Sequence, residues 1–516
     1  MDLITSDNMK RAEEVAFSKY HISPLVLMEN AANEMMSEIT NRFSCIRNMK
    51  TAVFCGPGNN GGDGYALARK LFLAGFSVEI FSSVEVKDLK EPAHTNASIC
   101  QALEICINEK KSDIDLSSFD LIIDALFGTG LKRPVEGLIH EYITHMNNSK
   151  KHIISVDIPS GLDCDKGTAF HHCVKSSLTF CLGKAKVGLF TEPGFSYSKE
   201  TVTLPINIPE KAYENLIGDY MVFDRKMALE EYSIREDMTS KGDYGRVLVI
   251  AGSRGMTGAY ALCARASMAA GAGYTYSMVP KSRIYEYNQL VPEAICIEID
   301  DQQKEFLSDQ QADEILGKIK NIDCMVIGPG LSMESESQRI IKKVVEETSI
   351  PVVIDAASIR DMKKDLNILK NKKSVAVITP HPGEMAHLLD MTVSQIQEDR
   401  INQAKKFALL YDTIVLLKGH ISIVTDGKTV YLNSSGNAGM ATAGSGDVLA
   451  GMMAGKLARS DNPLKTAAYC MYLHGLAGDK AKEETGENGL MASDIITNIK
   501  QAERVLYEEK TRSCMG

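Results

Sequence analysis

Two α/β domains in tandem, each a mostly parallel sheet covered by helices on both faces, are what this sequence predicts. Three observations carry that expectation. Short apolar strands alternate with helical segments over most of the chain. The rhythm breaks once, between residues 204 and 245. Glycine-rich turns recur where strands end, the edge at which open α/β sheets bind ligands. A chain of 516 residues also exceeds one ordinary core.

The elements follow in order. Residues 1–7 lead into a polar helix, and Ser23-Pro24 opens a second, with Ser as N-cap, Pro at the first helical position and apolar residues over 25–39. Residues 51–55 read as a strand, 63–74 as a helix, 77–81 as a strand and 91–107 as a helix. Buried strands at 119–125 and 152–157 complete the first series. Around Leu204-Pro-Ile-Asn-Ile-Pro-Glu the alternation stops, and a charge-rich stretch runs to Lys241-Gly-Asp-Tyr-Gly, which places the domains at 1–215 and 225–510. The second series begins with a strand at 246–251 and an Ala-rich helix after Gly258. Strands at 325–327, 351–354, 374–378 and 414–417 follow, then a hairpin about Asp426-Gly427. The apolar run after Asp447 reads as a helix.

Composition narrows the function classes. A net charge of -10 gives no electrostatic footprint for nucleic acid or an anionic membrane, so any phosphate site must be local. No apolar run reaches the roughly 18 to 20 residues that span a bilayer, and no signal-peptide core follows Met1, so a soluble cytoplasmic protein is expected. Twelve cysteines without a C-x-x-C pair point to reduced, packing thiols.

The most informative stretch is Asn437-Ala-Gly-Met-Ala-Thr-Ala-Gly-Ser-Gly-Asp447. If a helix starts here, the amides of Gly444, Ser445 and Gly446 lie at its N-terminus, where unpaired donors and the dipole favour phosphate. Asp447 beside that phosphate suits deprotonation of an attacking hydroxyl, so phosphoryl transfer is the first expectation. Lys418-Gly-His-Ile-Ser422 ends a strand upstream; a lone Lys there is usually a solvated rim residue, but beside an anion hole it suits nucleotide phosphate. Thr379-Pro-His381-Pro-Gly-Glu384 also ends a strand, where a substrate-facing His and a structural His with a capping Glu are equally good readings. Ile327-Gly-Pro-Gly330-Leu is a third such end.

In the first half, Gly56-Pro-Gly-Asn-Asn-Gly-Gly-Asp-Gly64 joins a strand to a helix but is not GxGxxG, and a capped turn is the bland alternative. Two more strand ends carry unusual loops: Asp124 runs into Gly128-Thr-Gly-Leu-Lys-Arg-Pro134, and Asp157 into Ile-Pro-Ser160-Gly-Leu-Asp163. Asn60, Asp124 and Ser160 offer oxygen ligands for a hard cation, while the glycines offer backbone donors to a dinucleotide.

These three first-half motifs together resemble the NAD(P)H-hydrate epimerase domain, over roughly residues 1 to 210. The resemblance implies a Rossmann-like fold in which Asn59, Asn60, Gly61, Gly62, Asp63, Gly128, Thr129, Gly130, Leu131, Lys132, Arg133 and Pro134 hold the hydrated nucleotide. Asp157 would lie near the reacting ring, and Asn60, Asp124 and Ser160 would bind potassium. Epimerisation at the hydroxyl-bearing carbon needs proton movement, a role that falls to Asp157.

The second-half motifs, with Gly252-Ser-x-Gly-Met-Thr-Gly-Ala259, resemble the ADP-dependent (S)-NAD(P)H-hydrate dehydratase family on a ribokinase-like fold, over about residues 225 to 500. Tyr260 stands where a small residue is expected. The resemblance implies hydrate contacts from Ala259, Gly330, His381, Pro382, Gly383, Glu384, Met385, Ala386, His387 and Asp447. ADP would meet Lys418, Gly419, His420, Ile421, Ser422, Asn437, Ala438, Gly439, Met440, Ala441, Thr442, Ala443, Gly444, Ser445 and Gly446. Asp447 would be the base, and Mg2+ a helper without a legible ligand pair. A bifunctional isomerase and lyase that repairs NADHX and NADPHX with ADP, as a homo-oligomer with no nucleic-acid or membrane partner, is therefore expected. The enzymatic rival is an ATP-dependent vitamin-precursor kinase with an N-terminal nucleotide-binding scaffold, because the same turn and base serve it. An epimerase-like domain on the same chain has no obvious purpose there. The other rival makes the first domain a ligand-binding scaffold without activity, against which its retained acids argue.

Overall fold

The computed structural model describes residues 1–43, 49–307, 309–332 and 335–515. The chain divides into two compact units, Asp2–Tyr220 and Met221–Gly516, the second including Met1.

In the first unit, strands β1 (Lys50–Cys55), β2 (Ser77–Ser82), β3 (Cys106–Glu109), β4 (Leu121–Ala125), β5 (His152–Val156), β6 (Leu178–Leu182) and β7 (Thr201–Leu204) form one sheet. Their order is β3-β2-β1-β4-β5-β6-β7, and every pairing is parallel. Alternate residues of β1 feed different cores: Val53 and Cys55 join one cluster, Ala52 and Phe54 the other. That is the pattern of a sheet buried on both faces. The order reverses between β1 and β4, so the loops that leave these two strands diverge and open a crevice. The Gly56 and Asp124 loops are those loops.

The Pro24–Arg42 helix starts as expected, with the Ser23 hydroxyl accepting from the Val26 amide. Two expectations shift. The helix placed at 63–74 begins four residues earlier, spanning Asn59–Leu73, because Gly58 is the N-cap and the polar Asn-Asn-Gly-Gly run forms its first turn. The helix placed at 91–107 is Ala93–Ala102. Glu104 then takes a positive φ of 58°, and Cys106–Glu109 becomes the edge strand β3, too exposed to show an apolar period.

In the second unit, β8 (Arg246–Ile250), β9 (Tyr274–Pro280), β10 (Ile295–Ile299), β11 (Cys324–Ile327), β12 (Val352–Ile354), β13 (Ala376–Ile378), β14 (Ile414–Leu417), β15 (Ile423–Thr425) and β16 (Val430–Asn433) run in the order β10-β9-β8-β11-β12-β13-β14-β15-β16. Pairings are parallel as far as β14 and antiparallel beyond it. The β15–β16 hairpin turns where expected: Asp426 accepts from the Lys428 and Thr429 amides, and Gly427 takes φ 93°. Again the order reverses, between β8 and β11. There the two loops are stitched together, since the Gly252 amide donates to the Pro329 carbonyl at 2.8 Å and the Ser253 hydroxyl to the Gly330 carbonyl at 2.8 Å.

The Ser445–Leu457 helix lies against the Thr257–Ala269 helix, and glycine makes the approach possible. A Cβ on Gly451 would collide with the Cys263 carbonyl. Tyr260, the unusual residue after Ala259, is fully buried, with its ring 4.6 Å from that of Tyr287. It fills the core and leaves the site alone. Among the described residues, no helix is long and apolar enough to cross a membrane.

Candidate active sites

In the first unit a cavity of about 800 Å³ opens at the β1/β4 crevice. Asn59, Asn60, Asp63, Gly128, Thr129, Gly130, Leu131, Lys132, Arg133 and Asp157 all line it, so three loops separated in sequence meet at one wall. Gly61, Gly62 and Pro134 are not part of that wall. Cβ atoms on Gly61 and Gly62 would collide with the Gly56 carbonyl and the Met28 thioether, so these glycines let the helix start pack tightly. The first turn of the Asn59–Leu73 helix has no side-chain cap, so its leading amides lack intrahelical partners.

At the floor of the cavity lies an ion pair. Lys186 is 1% exposed, and its ammonium donates to Asp157 Oδ1 at 2.5 Å and to the Leu182 carbonyl at 2.6 Å. Asp157 ends β5 with a left-handed φ of 67°, a conformation that Asp tolerates and that turns its carboxylate out of the strand line. Glu13 and Asp63 line the same cavity. Burial, then the charge of Asp157, pushes Glu13 up to about 7, and the same causes hold Asp63 well above the usual carboxylate range. Removal of one partner from the buried pair is costly. Lys186→Met is expected to destabilise the chain by about 3–5 kcal/mol, read as a lower urea midpoint by circular dichroism, and adding Asp157→Asn should recover part of the loss.

Behind this wall the Asp124 carboxylate is fully buried. It accepts from Ser155 Oγ at 2.8 Å, from the Ser160 amide at 2.9 Å, from Ser160 Oγ at 2.5 Å and from the Leu126 amide at 3.3 Å. Ser160 Oγ in turn accepts from the Phe127 amide at 2.9 Å, which ties the Gly128 loop to the Asp157 loop. Asn60 is buried with its amide nitrogen unpartnered, and a Cβ on Gly128 would sit 3.3 Å from Asn60 Oδ1 and 3.2 Å from Asp157 Oδ2. The Asp124 and Ser160 oxygens are thus already engaged within the protein, and the unpartnered Asn60 nitrogen is a hydrogen-bond donor rather than a cation ligand.

In the second unit Gly444 caps the Ser445–Leu457 helix with φ 90°, which puts Asp447 inside the first turn. The Ser445 amide donates back to Thr442 at 3.3 Å. The Gly446 and Asp447 amides remain as the outward donors of that turn. Burial, then Asp355, raises Asp447 to about 6, against the opposing pull of Lys418. Lys418 leaves β14 and donates to Asp355 Oδ1 at 2.9 Å, with Glu384 Oε2 at 4.0 Å. Burial lowers its ammonium, but Asp355 and Glu384 outweigh that and hold it above its usual range. A Cβ on Gly446 would lie 3.3 Å from Lys418 Nζ, so the lysine reaches the Gly444–Asp447 turn and is no solvated rim residue.

Other expected residues fall where the local sequence puts them. His381 caps the Pro382–Leu389 helix: its Nδ1 accepts from the Gly383 and Glu384 amides, and Glu384 Oε2 accepts from the His381 amide at 2.9 Å. This reciprocal cap fixes the ring, with Nε2 3.6 Å from Glu384 Oε1. Met385 and Ala386 are buried in the core and His387 is exposed. Ala259 and Gly330 are neighbours, since a Cβ on Gly330 would lie 2.8 Å from Ala259 Cβ. Asn437 and the Gly436 amide each donate at 2.9 Å to Asp479, which anchors the 437–446 turn. The Lys418 and Ile421 carbonyls accept from the buried Arg400 guanidinium at 3.2 and 3.1 Å, which shapes the 418–422 loop.

Sequence reasoning missed Glu13, Lys186, Asp355, Arg400 and Asp479. Asp355 had a signal: it ends a buried strand, Val352–Ile354, as Asp124 and Asp157 end theirs. Glu13 had none, because a Glu in a polar helix reads as a solvated face. Among the described residues no group of three or more His, Cys, Asp or Glu could hold a metal ion.

Comparison with known proteins supplies the rest. The family described as NAD(P)H-hydrate dehydratase matches residues 247–501, and that described as YjeF-related protein N-terminus matches residues 24–188. A bifunctional NAD(P)H-hydrate repair enzyme of Moorella thermoacetica is 36% identical, covering 99% of this chain and 98% of the relative. That of Thermofilum pendens is 32% identical, covering 99% and 97%. The crystal structure of an ADP/ATP-dependent NAD(P)H-hydrate dehydratase from Bacillus subtilis is 24% identical with a TM-score of 0.48, covering 55% of this chain and 98% of that one. The two family matches and the end-to-end likeness to such relatives lead to one conclusion: the chain belongs to the family of bifunctional NAD(P)H-hydrate repair enzymes.

Proposed function

We propose that the first unit interconverts the R and S hydrates of NADH and NADPH, and that the second dehydrates the S form while ADP is converted to AMP and phosphate. The observation that carries the second activity is Asp447 within a helix turn that still has amides to offer, beside a lysine that reaches the same turn. Asp447 takes the proton of the ring hydroxyl, which attacks the β-phosphorus of ADP, and AMP leaves. The Gly446 and Asp447 amides and Lys418 hold the charge that develops on the transferring phosphoryl group. The ring nitrogen's lone pair then expels phosphate, and loss of a proton from the adjacent carbon restores the reduced nicotinamide.

The 418–422 loop and the 437–446 turn bind ADP in this reading, and Ala259, Gly330 and the exposed ring of His381 contact the hydrate. Mg2+ is carried in this reading by the diphosphate of ADP. In the first unit Asn60, Asp124 and Ser160 hold potassium, whose charge would steady the loops around the hydrate. A small-molecule kinase would use the same helix turn and base. A second crevice lined by its own carboxylates, on a chain like repair enzymes from end to end, favours the repair reading.

Incubation of mixed R and S hydrates with ADP tests both activities at once. Recovery of all the reduced nicotinamide, read by its absorbance, is the expected result. A halt at the S fraction would remove the epimerase from the reading, and no recovery would remove the dehydratase.

A further inference from the structure

Epimerisation at the hydroxyl-bearing carbon removes water from one face of the ring and returns it to the other. That chemistry asks for one group that gives a proton to the departing hydroxyl and one that takes a proton from the incoming water. Resting on the epimerase reading above, we propose that Glu13, on the Ser6–Ser18 helix, is the proton donor that works with Asp157 across the first-unit cavity.

The placement comes first. Glu13 lines the cavity from its helical wall, whereas Asp157 enters from the end of β5. Its carboxyl makes no hydrogen bond or ion pair with a described residue, so nothing structural occupies it. The charge count comes next. Glu13, Asp63 and Asp157 share the cavity with the buried ammonium of Lys186, while Asp7, Lys10, Lys132 and Arg133 line it from exposed positions. Three carboxyls around one buried ammonium favour retention of a proton among them. Lys186 donates to Asp157 Oδ1 at 2.5 Å, and a carboxylate held in an ion pair fits the base. Burial, then the charge of Asp157, holds Asp63 well above the usual carboxylate range, which favours its protonated form. Glu13, raised to about 7 by burial and Asp157 and lowered in part by Lys186, changes state at working pH. Glu14 and Tyr213 are the other titratable groups that its charge touches, and Lys10 stands one turn away on its own helix.

The step balances. Protonated Glu13 gives its proton to the ring hydroxyl, the C–O bond breaks, and the ring nitrogen's lone pair forms the C=N bond of an iminium as water departs. Water then adds to the opposite face, its oxygen forming the new C–O bond while Asp157 takes its proton. Solvent returns that proton to Glu13. No net proton is consumed, so both directions share one pH profile, which falls as Glu13 ionises.

The test uses the full chain without ADP, following conversion of isolated R hydrate to S by chromatography. Glu13→Gln is expected to lower kcat by roughly 10²–10⁴-fold with KM changed by less than about threefold. The wild-type fall in rate above about pH 7 should be absent from its residual activity, and Glu13→Asp should regain part of the rate. Unchanged ADP-dependent dehydration of S hydrate confirms an intact chain. Wild-type kcat in Glu13→Gln, or the same alkaline fall in that variant, overturns the proposal. If Glu13→Gln does not fold, a Glu13→Asp variant that folds with an unshifted alkaline limb overturns it equally. Should the wild type itself fail to interconvert the hydrates, the epimerase reading falls. A dead Asp157→Asn beside a fully active Glu13→Gln removes only Glu13.

Discussion

Asp447→Asn is expected to lower ADP-driven recovery of reduced nicotinamide from the S hydrate by roughly 10²–10⁴-fold, the usual worth of a positioned general base. R/S interconversion should continue at the wild-type rate, because it belongs to the other unit. Asn keeps the size of the side chain and its place in the first helical turn, so the phosphate-binding amides survive and the KM for ADP should move little. The pH behaviour separates loss of the base from loss of binding. Asp447 must be ionised to act, and its carboxyl is raised to about 6 by burial and Asp355. Wild-type kcat should therefore fall tenfold per unit below about pH 6, whereas the variant's residual rate should be flat there.

Stability adds an independent sign. A carboxyl higher in the folded chain than in the unfolded one disfavours folding once the unfolded form ionises, and that cost is complete above about pH 6. Asp447→Asn should thus be no less stable than wild type at pH 7, and relatively less favoured below pH 4. Parallel loss of both activities in a folded variant would overturn the two-site reading.

How much of this was legible in the sequence depends on what each residue has to signal. Buried parallel strands announce themselves as apolar runs, so β1, β4, β5 and β14 were readable, and so were the loops at their ends. The edge strand β3, Cys106–Glu109, is half-exposed and was absorbed into the preceding helix. The starting turn of the Asn59–Leu73 helix was also hidden, because Asn and Gly favour loops unless tertiary packing, here against Gly56 and Met28, decides otherwise.

The sites divide the same way. Groups carried by glycine-rich motifs were found. Groups that act from afar were not: Lys186 lies 29 residues beyond Asp157 in an ordinary Lys-Ala-Lys run, and only the fold brings the two within 2.5 Å. His381 shows the opposite lesson. Its motif drew attention, and its geometry shows a helix cap whose other ring nitrogen lies 3.6 Å from Glu384 Oε1.

Asp157→Asn is the counterpart expectation in the first unit: epimerisation slower by roughly 10²–10⁴-fold, with dehydration of pure S hydrate unchanged. Asn is the informative replacement and Ala a poor one. Position 157 holds φ 67°, which Asn accepts, while Ala would add roughly 1–2 kcal/mol of backbone cost unrelated to chemistry. Even Asn leaves the Lys186 ammonium short of its counter-ion, with only the Leu182 carbonyl in its place, so the variant should unfold at lower urea. That loss could masquerade as a catalytic one. The double variant Asp157→Asn with Lys186→Met resolves it, because an uncharged pair removes the unpaired charge without restoring a base. Urea unfolding should move back toward wild type while epimerisation stays slow. A rate that returns together with stability would make Asp157 a structural anchor, and an unchanged rate in the single variant would remove it from the reaction altogether.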